Sequence, residues 1–128
     1  MRVAITLLAL ALCACASKPG APGELQRTVA GKHEVSFPGH EAVVMRIELP
    51  AGAEAPMHTH PGDEITYVLE GECIVLVEGE PPRTVRAGES FAIPAGKVHG
   101  ARNASGETVR AVGVYVVWKN QPLATPAK

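Results

Sequence analysis

The sequence predicts an all-β fold, a single small sandwich or barrel, on three observations. Apolar runs rich in Val and Ile are short and recur along the chain. Each run is closed by Gly or Pro, as turns between strands require. After the first sixteen residues no segment carries a 3.6-residue apolar period, so almost no helix is expected. The 128 residues give room for one hydrophobic core and no more.

The first element is a leader. Arg2 supplies a positive start, Val3 to Ala16 is apolar, and small residues stand at Ala14 and Ala16. Residues 1–16 therefore read as a secretory signal, too short to span a bilayer as a helix. Two processing routes fit. Ala14-Cys15-Ala16 matches a small-x-small cleavage site, whereas Leu12-Cys13-Ala14-Cys15 resembles a lipobox with Cys15 as the lipid-bearing residue. A Pro/Gly-rich tether over 17–34 follows, which favours a lipid-anchored domain; both routes export the protein, and it is expected in the periplasm, either free or anchored to the membrane through Cys15. The leader contains one basic residue, so its loss takes the 12 basic residues to 11 against 13 acidic, a net of −2. With no basic run or stripe, nucleic acid is excluded as a natural partner. Cys73 is then the one cysteine outside the leader, which rules out an internal disulfide and suits a buried structural thiol.

The folded domain is expected over 35–118. Strands are read at Ala42 to Leu49, Glu64 to Glu70, Cys73 to Glu78, Thr84 to Arg86, Ser90 to Ile93 and Val109 to Trp118. The turns between them are Pro50-Ala51-Gly52, Gly71, Gly79-Glu80-Pro81-Pro82, Ala87-Gly88, Pro94-Ala95-Gly96 and Ala104-Ser105-Gly106. The tail over 119–128, with Pro122 and Pro126, is expected to lie over the surface or fray. A small β domain without disulfides gains stability by sharing a sheet edge with a second copy, so a homodimer is expected.

One stretch carries chemistry. In Pro56-Met57-His58-Thr59-His60-Pro61-Gly62-Asp63-Glu64, the two histidines share a strand face because side chains alternate. Pro61-Gly62 then turns the chain so that Glu64 can return its carboxylate to the imidazoles. His99, presented after the Pro94-Ala95-Gly96 turn, is a fourth candidate. His33 and His40, in a polar stretch, read as ordinary exposed histidines.

These residues carry a resemblance. Gly52-x5-His58-x-His60-x3-Glu64-x6-Gly71 resembles the first motif of the cupin superfamily, and Gly88-x5-Pro94-x-Gly96-x2-His99-x3-Asn103 resembles the second. Every defining position is filled, and the short spacing between the motifs is that of small single-domain bacterial members of the quercetinase-like type. The resemblance implies a cupin jelly-roll β-barrel of six to eight strands. It also implies that His58, His60, Glu64 and His99 bind one divalent transition metal inside the barrel mouth. Gly52, Gly71, Gly88 and Gly96 fit turns needing positive φ or close backbone approach. Asn103 is expected to tie a loop.

Three imidazoles and one carboxylate suit Fe, Mn, Ni, Cu, Co or Zn without choosing among them. The expected function is a metal-dependent, oxygenase-like enzyme acting on a small enolic or oxygen-chelating molecule, with Glu64 as a base that loosens from the metal. The alternative is an exported cupin that binds a small ligand or metal without turnover. The face of Glu64 continues through Thr66 to Val68, a mostly apolar wall, while Arg46, Glu48, Tyr67 and Tyr115 are explained equally well as surface or packing. No basic cluster awaits a nucleotide diphosphate, and no DNA-binding helices accompany the barrel, so sugar-nucleotide enzymes and regulators are disfavoured.

Overall fold

The computed structural model describes residues 23–128. The leader over 1–16, its Cys15 and the start of the tether lie outside the described residues. The described chain contains ten strands and no helix: β1 (Gln26–Glu34), β2 (His40–Leu49), β3 (Glu54–Thr59), β4 (Gly62–Glu70), β5 (Glu72–Val77), β6 (Arg83–Arg86), β7 (Ser90–Ile93), β8 (His99–Arg102), β9 (Val109–Trp118) and β10 (Thr125–Pro126). They form two antiparallel five-stranded sheets, in the orders β1-β2-β9-β4-β7 and β10-β3-β8-β5-β6. Two facing antiparallel sheets of this order make a jelly roll, as the resemblance implied, with more strands than the six to eight expected.

Strict alternation sets the inside of the barrel. Along β4 the buried residues are Gly62, Glu64, Thr66 and Val68, and along β9 they are Val109, Ala111, Gly113, Tyr115 and Val117. The apolar interior has two parts. One gathers Leu49, Ala53, Val68, Cys73, Val75, Val85, Ile93 and Val109; the other gathers Val43, Met45, Tyr115 and Val117. Val68 is wholly enclosed, a burial that stabilises by about 2 kcal/mol. Cys73 is a buried free thiol, and burial pushes its pKa up, with the Glu72 charge adding to the effect. Between the two apolar parts, the inner face of β4 carries the polar pair Glu64 and Thr66.

Two expectations need correction. The tether over 17–34 ends earlier than expected, because Gln26–Glu34 is β1, paired with Glu41–Glu48 of β2. Its sequence shows no alternation because it is an edge strand with almost every residue exposed. The ladder hydrogen bonds to β2 hold it, with little help from burial. The tail over 119–128 takes the first of the two outcomes expected for it and lies over the surface, docked rather than frayed. Asn120 takes a left-handed φ of 61°, a conformation Asn tolerates better than most residues. Thr125 and Pro126 then pair with Thr59 and His58 of β3, and the Ala127 amide donates to the Met57 carbonyl at 3.0 Å. His33 is exposed as expected, but His40 is half-buried, its ring 4.0 Å from that of Trp118.

Candidate metal centre

Each of the four sequence-predicted ligands is placed by a different local device. His58 lies in β3 and stands directly opposite His99, the first residue of β8. His60 follows one residue beyond the end of β3. Glu64 comes from β4, where it faces Tyr115 of β9 on one side and Ile93 of β7 on the other. The tight entry into β4 depends on Gly62, since a Cβ there would overlap the Val116 carbonyl oxygen. The turn ahead of His99 is docked onto the first motif: the Gly96 amide donates to the His60 carbonyl at 3.0 Å, and the Ala95 amide to Asp63 Oδ1 at 3.0 Å. Gly96 itself has a φ of 72°.

His58, His60, Glu64 and His99 are all buried, and one ligand atom from each lies within 4.8 Å of the others. The imidazoles are oriented by backbone carbonyls. Nδ1 of His58 donates to Pro56 O at 2.6 Å, Nδ1 of His60 to Leu123 O at 2.6 Å, and Nδ1 of His99 to Lys97 O at 2.8 Å. All three Nε2 atoms therefore point inward with a lone pair.

The inward atoms are close. His58 Nε2 is 3.1 Å from His60 Nε2, and Glu64 Oε2 lies 3.1 Å from His60 Nε2 and 3.0 Å from His99 Nε2. Four acceptors at such distances repel unless positive charge sits among them, either as ring protons or as one cation serving all four. The donor set, three imidazoles and a carboxylate, is one that divalent transition metals accept. Burial would raise the Glu64 carboxyl, but contacts with His60 and His99 and the Thr66 hydroxyl, which donates at 2.6 Å, hold it well below the usual carboxylate range. Burial pushes His58 down to about 4; the Pro56 carbonyl opposes this, while charge on His99, His60 and Arg27 adds to it.

His58, Glu64 and His99 border a cavity of about 60 Å³ with mostly apolar walls, lined among others by Ile47, Phe91, Ala111, Tyr115 and Arg27. A larger open cleft of about 610 Å³ lies over β5, β6 and β7 and includes none of the four ligands; Phe91 borders both. We assign ligand chemistry to the smaller space because the donor atoms converge there.

Sequence reasoning left three contributors without a role. Tyr115 is buried with its hydroxyl 3.5 Å from Glu64 Oε1; burial first, then the Glu64 charge, push its pKa up, so it remains a phenol. Alternation along β9 marks Tyr115 as inward, but its register against Glu64 is not visible in sequence. The Leu123 carbonyl and Arg27 arrive from segments read as tail and tether. Arg46 and Tyr67 are exposed, and Glu48 is exposed on the outer side. Asn103 ties the β8–β9 loop as expected, donating to Leu49 O at 2.9 Å and Glu107 O at 2.6 Å and accepting from the Ser105 amide and hydroxyl.

Comparison with known proteins agrees with this geometry. Residues 45–117 match the family described as Cupin domain. The chain is similar to the dimethylsulfoniopropionate lyase DddQ of Ruegeria pomeroyi, with 34% identity over 80 residues, covering 62% of this chain and 38% of the relative. A Klebsiella pneumoniae protein with a double-stranded β-helix domain superposes with a TM-score of 0.66 at 28% identity, covering 87% of this chain and 90% of that one. An oxalate oxidase in complex with the substrate analogue glycolate superposes with a TM-score of 0.59 at 29% identity, over 66% of this chain and 45% of that one. The chain spans well under half the length of the curated relatives it matches.

Proposed function

The chain belongs to the cupin domain family, and from that premise we propose that it is a metal-dependent, oxygenase-like enzyme acting on a small oxygen-chelating molecule. The observation that carries the reading is the convergence of four buried ligand atoms, with every imidazole locked so that Nε2 faces inward. A divalent transition metal would be held by His58, His60, Glu64 and His99 and would supply Lewis acidity to a bound substrate. The rest falls to the chain's own residues. Thr66 holds one Glu64 oxygen, and the depressed carboxyl makes Glu64 a firm ligand and a weak base, so the proton-moving role expected for it is the lesser one. Tyr115, a phenol at neutral pH, is placed to donate a hydrogen bond to a molecule in the cavity. The apolar walls exclude water and strengthen both interactions. An oxidase and a lyase among the similar proteins support an enzyme.

The sparse polar lining of the cavity favours a second reading, a cupin that binds without turnover. Oxygen uptake and product formation with metal-loaded protein, across enolic, phenolic and carboxylate compounds, separate the two. Saturable binding with no turnover for any of the six metals would sink the enzyme reading. Metal content unchanged in both His58→Ala and His99→Ala would sink the site itself. Export, free or anchored through Cys15, is proposed on residues 1–16 alone. Pairing of two copies is proposed on β1, which is an edge strand among the described residues.

A further inference from the structure

We propose that the cavity beside the metal centre binds a small organic carboxylate, with Arg27 as its charge partner. The inference rests on the metal reading above for one end of the ligand and on Arg27 for the other. Arg27 stands opposite Ile47 in the β1–β2 ladder. Residues directly opposed in an antiparallel pair share a face, and Ile47 belongs to the inward set packed on Val43, Met45, Tyr115 and Val117. Arg27 therefore lies on the barrel side of β1, at the rim, where its side chain stays exposed to solvent yet lines the same cavity as His58, Glu64, His99 and Tyr115.

Among the described residues Arg27, like Arg46, Arg83 and Arg102, has no carboxylate within ion-pair distance, and of these four it alone borders the cavity. No carboxylate is to be had from residues 1–22, which contain no Asp or Glu. Glu64, the one acid in the cavity wall, is committed to the imidazoles and Thr66. Charge makes the demand explicit. A divalent cation with three neutral imidazoles and one carboxylate carries a net charge of +1, and the guanidinium adds a second positive charge across apolar walls. Solvent screens part of the charge on the exposed Arg27, but the space still favours an anion over a neutral molecule of the same shape, and a planar guanidinium matches a carboxylate in two-point contact. The cavity of about 60 Å³ holds on the order of four water molecules, which limits the ligand to a few carbons. Arg27 lies outside residues 45–117, the segment that matches the family, so the family match does not account for it.

The test titrates the protein with propionate and with propionamide, its uncharged isostere, by calorimetry, with and without one equivalent of Co(II). The parent is expected to bind propionate at least tenfold more tightly than propionamide. Arg27→Met should lose that preference, Arg27→Lys should keep part of it, and both should retain the parent's Co(II) content. Equal affinity for the two probes in the parent, or an undiminished preference in Arg27→Met, would overturn the assignment. Failure to take up Co(II) would instead count against the metal reading. In that case the preference for propionate in the metal-free protein, and its loss in Arg27→Met, still decides the role of Arg27.

Discussion

Removing residues 122–128 should weaken metal binding by ten- to a hundredfold while leaving the barrel folded. The segment makes three kinds of contact. The Leu123 carbonyl accepts the 2.6 Å hydrogen bond from His60 Nδ1, Thr125–Pro126 pairs with β3, and the Leu123 side chain packs on the cluster of Val43, Met45, Tyr115 and Val117. Losing the packing costs about 1 kcal/mol of half-buried surface, which a domain with two intact sheets withstands. Losing the carbonyl frees the His60 ring to turn and to change tautomer. Hydrogen bonds of this kind to a metal-ligating histidine are worth ten- to a hundredfold in affinity, or about 1.4 to 2.7 kcal/mol. Competition against a chromophoric chelator, with Zn or Co(II), reads the change, and circular dichroism reports whether the sheets persist. Leu123→Ala is the control: it trims the packing but keeps the carbonyl, so its Kd should stay within about threefold of the parent. A truncated protein that is folded and binds metal as tightly as the parent would refute the idea that the tail positions His60.

Two further outcomes are expected. Asn103→Ala removes four hydrogen bonds from one buried side chain, so it should cost about 3 kcal/mol in urea unfolding with no change in metal Kd; a parallel loss of affinity would show that Asn103 acts on the site. Metal-free protein should lose stability as pH falls from 6.5 towards 4, because His58 binds its proton in the unfolded chain well before it does so in the fold, where burial pushes it down to about 4. Stability is full above 6.5 and drops by about 2 kcal/mol across that window after allowance for screening, with Glu64 adding to the loss as pH falls through the usual carboxylate range and below it; equal urea midpoints at pH 7 and 4.5 would contradict this.

How much was legible divides by the kind of signal. β2, β4, β5 and β9 announce themselves as short apolar runs closed by Gly or Pro, and burial alternates regularly along β4 and β9. β1 gives no such signal: its residues are exposed on both faces, and only pairing with β2 defines it. β10 is two residues long and is created by its docking on β3. The four metal-capable residues that converge were legible because the cupin motifs fix their spacing. Tyr115, Arg27 and the Leu123 carbonyl were not, since each depends on a register or contact between segments far apart in sequence. Tyr115 faces Glu64 across 51 residues, and the Leu123 carbonyl reaches His60 across 63.

That last separation bears on the order in which the centre is assembled. His58 and His99 take their orienting carbonyls from residues only two positions away, so their rings can be set as soon as the local strand exists. His60 must wait for a segment 63 residues further along to fold back. Until it does, the chain offers an unguarded His58-x-His60 pair to any cation that prefers two imidazoles. Metal supplied during refolding therefore meets a different, less selective set of ligands from metal supplied to the closed barrel, and the two preparations should carry different metals from the same mixture.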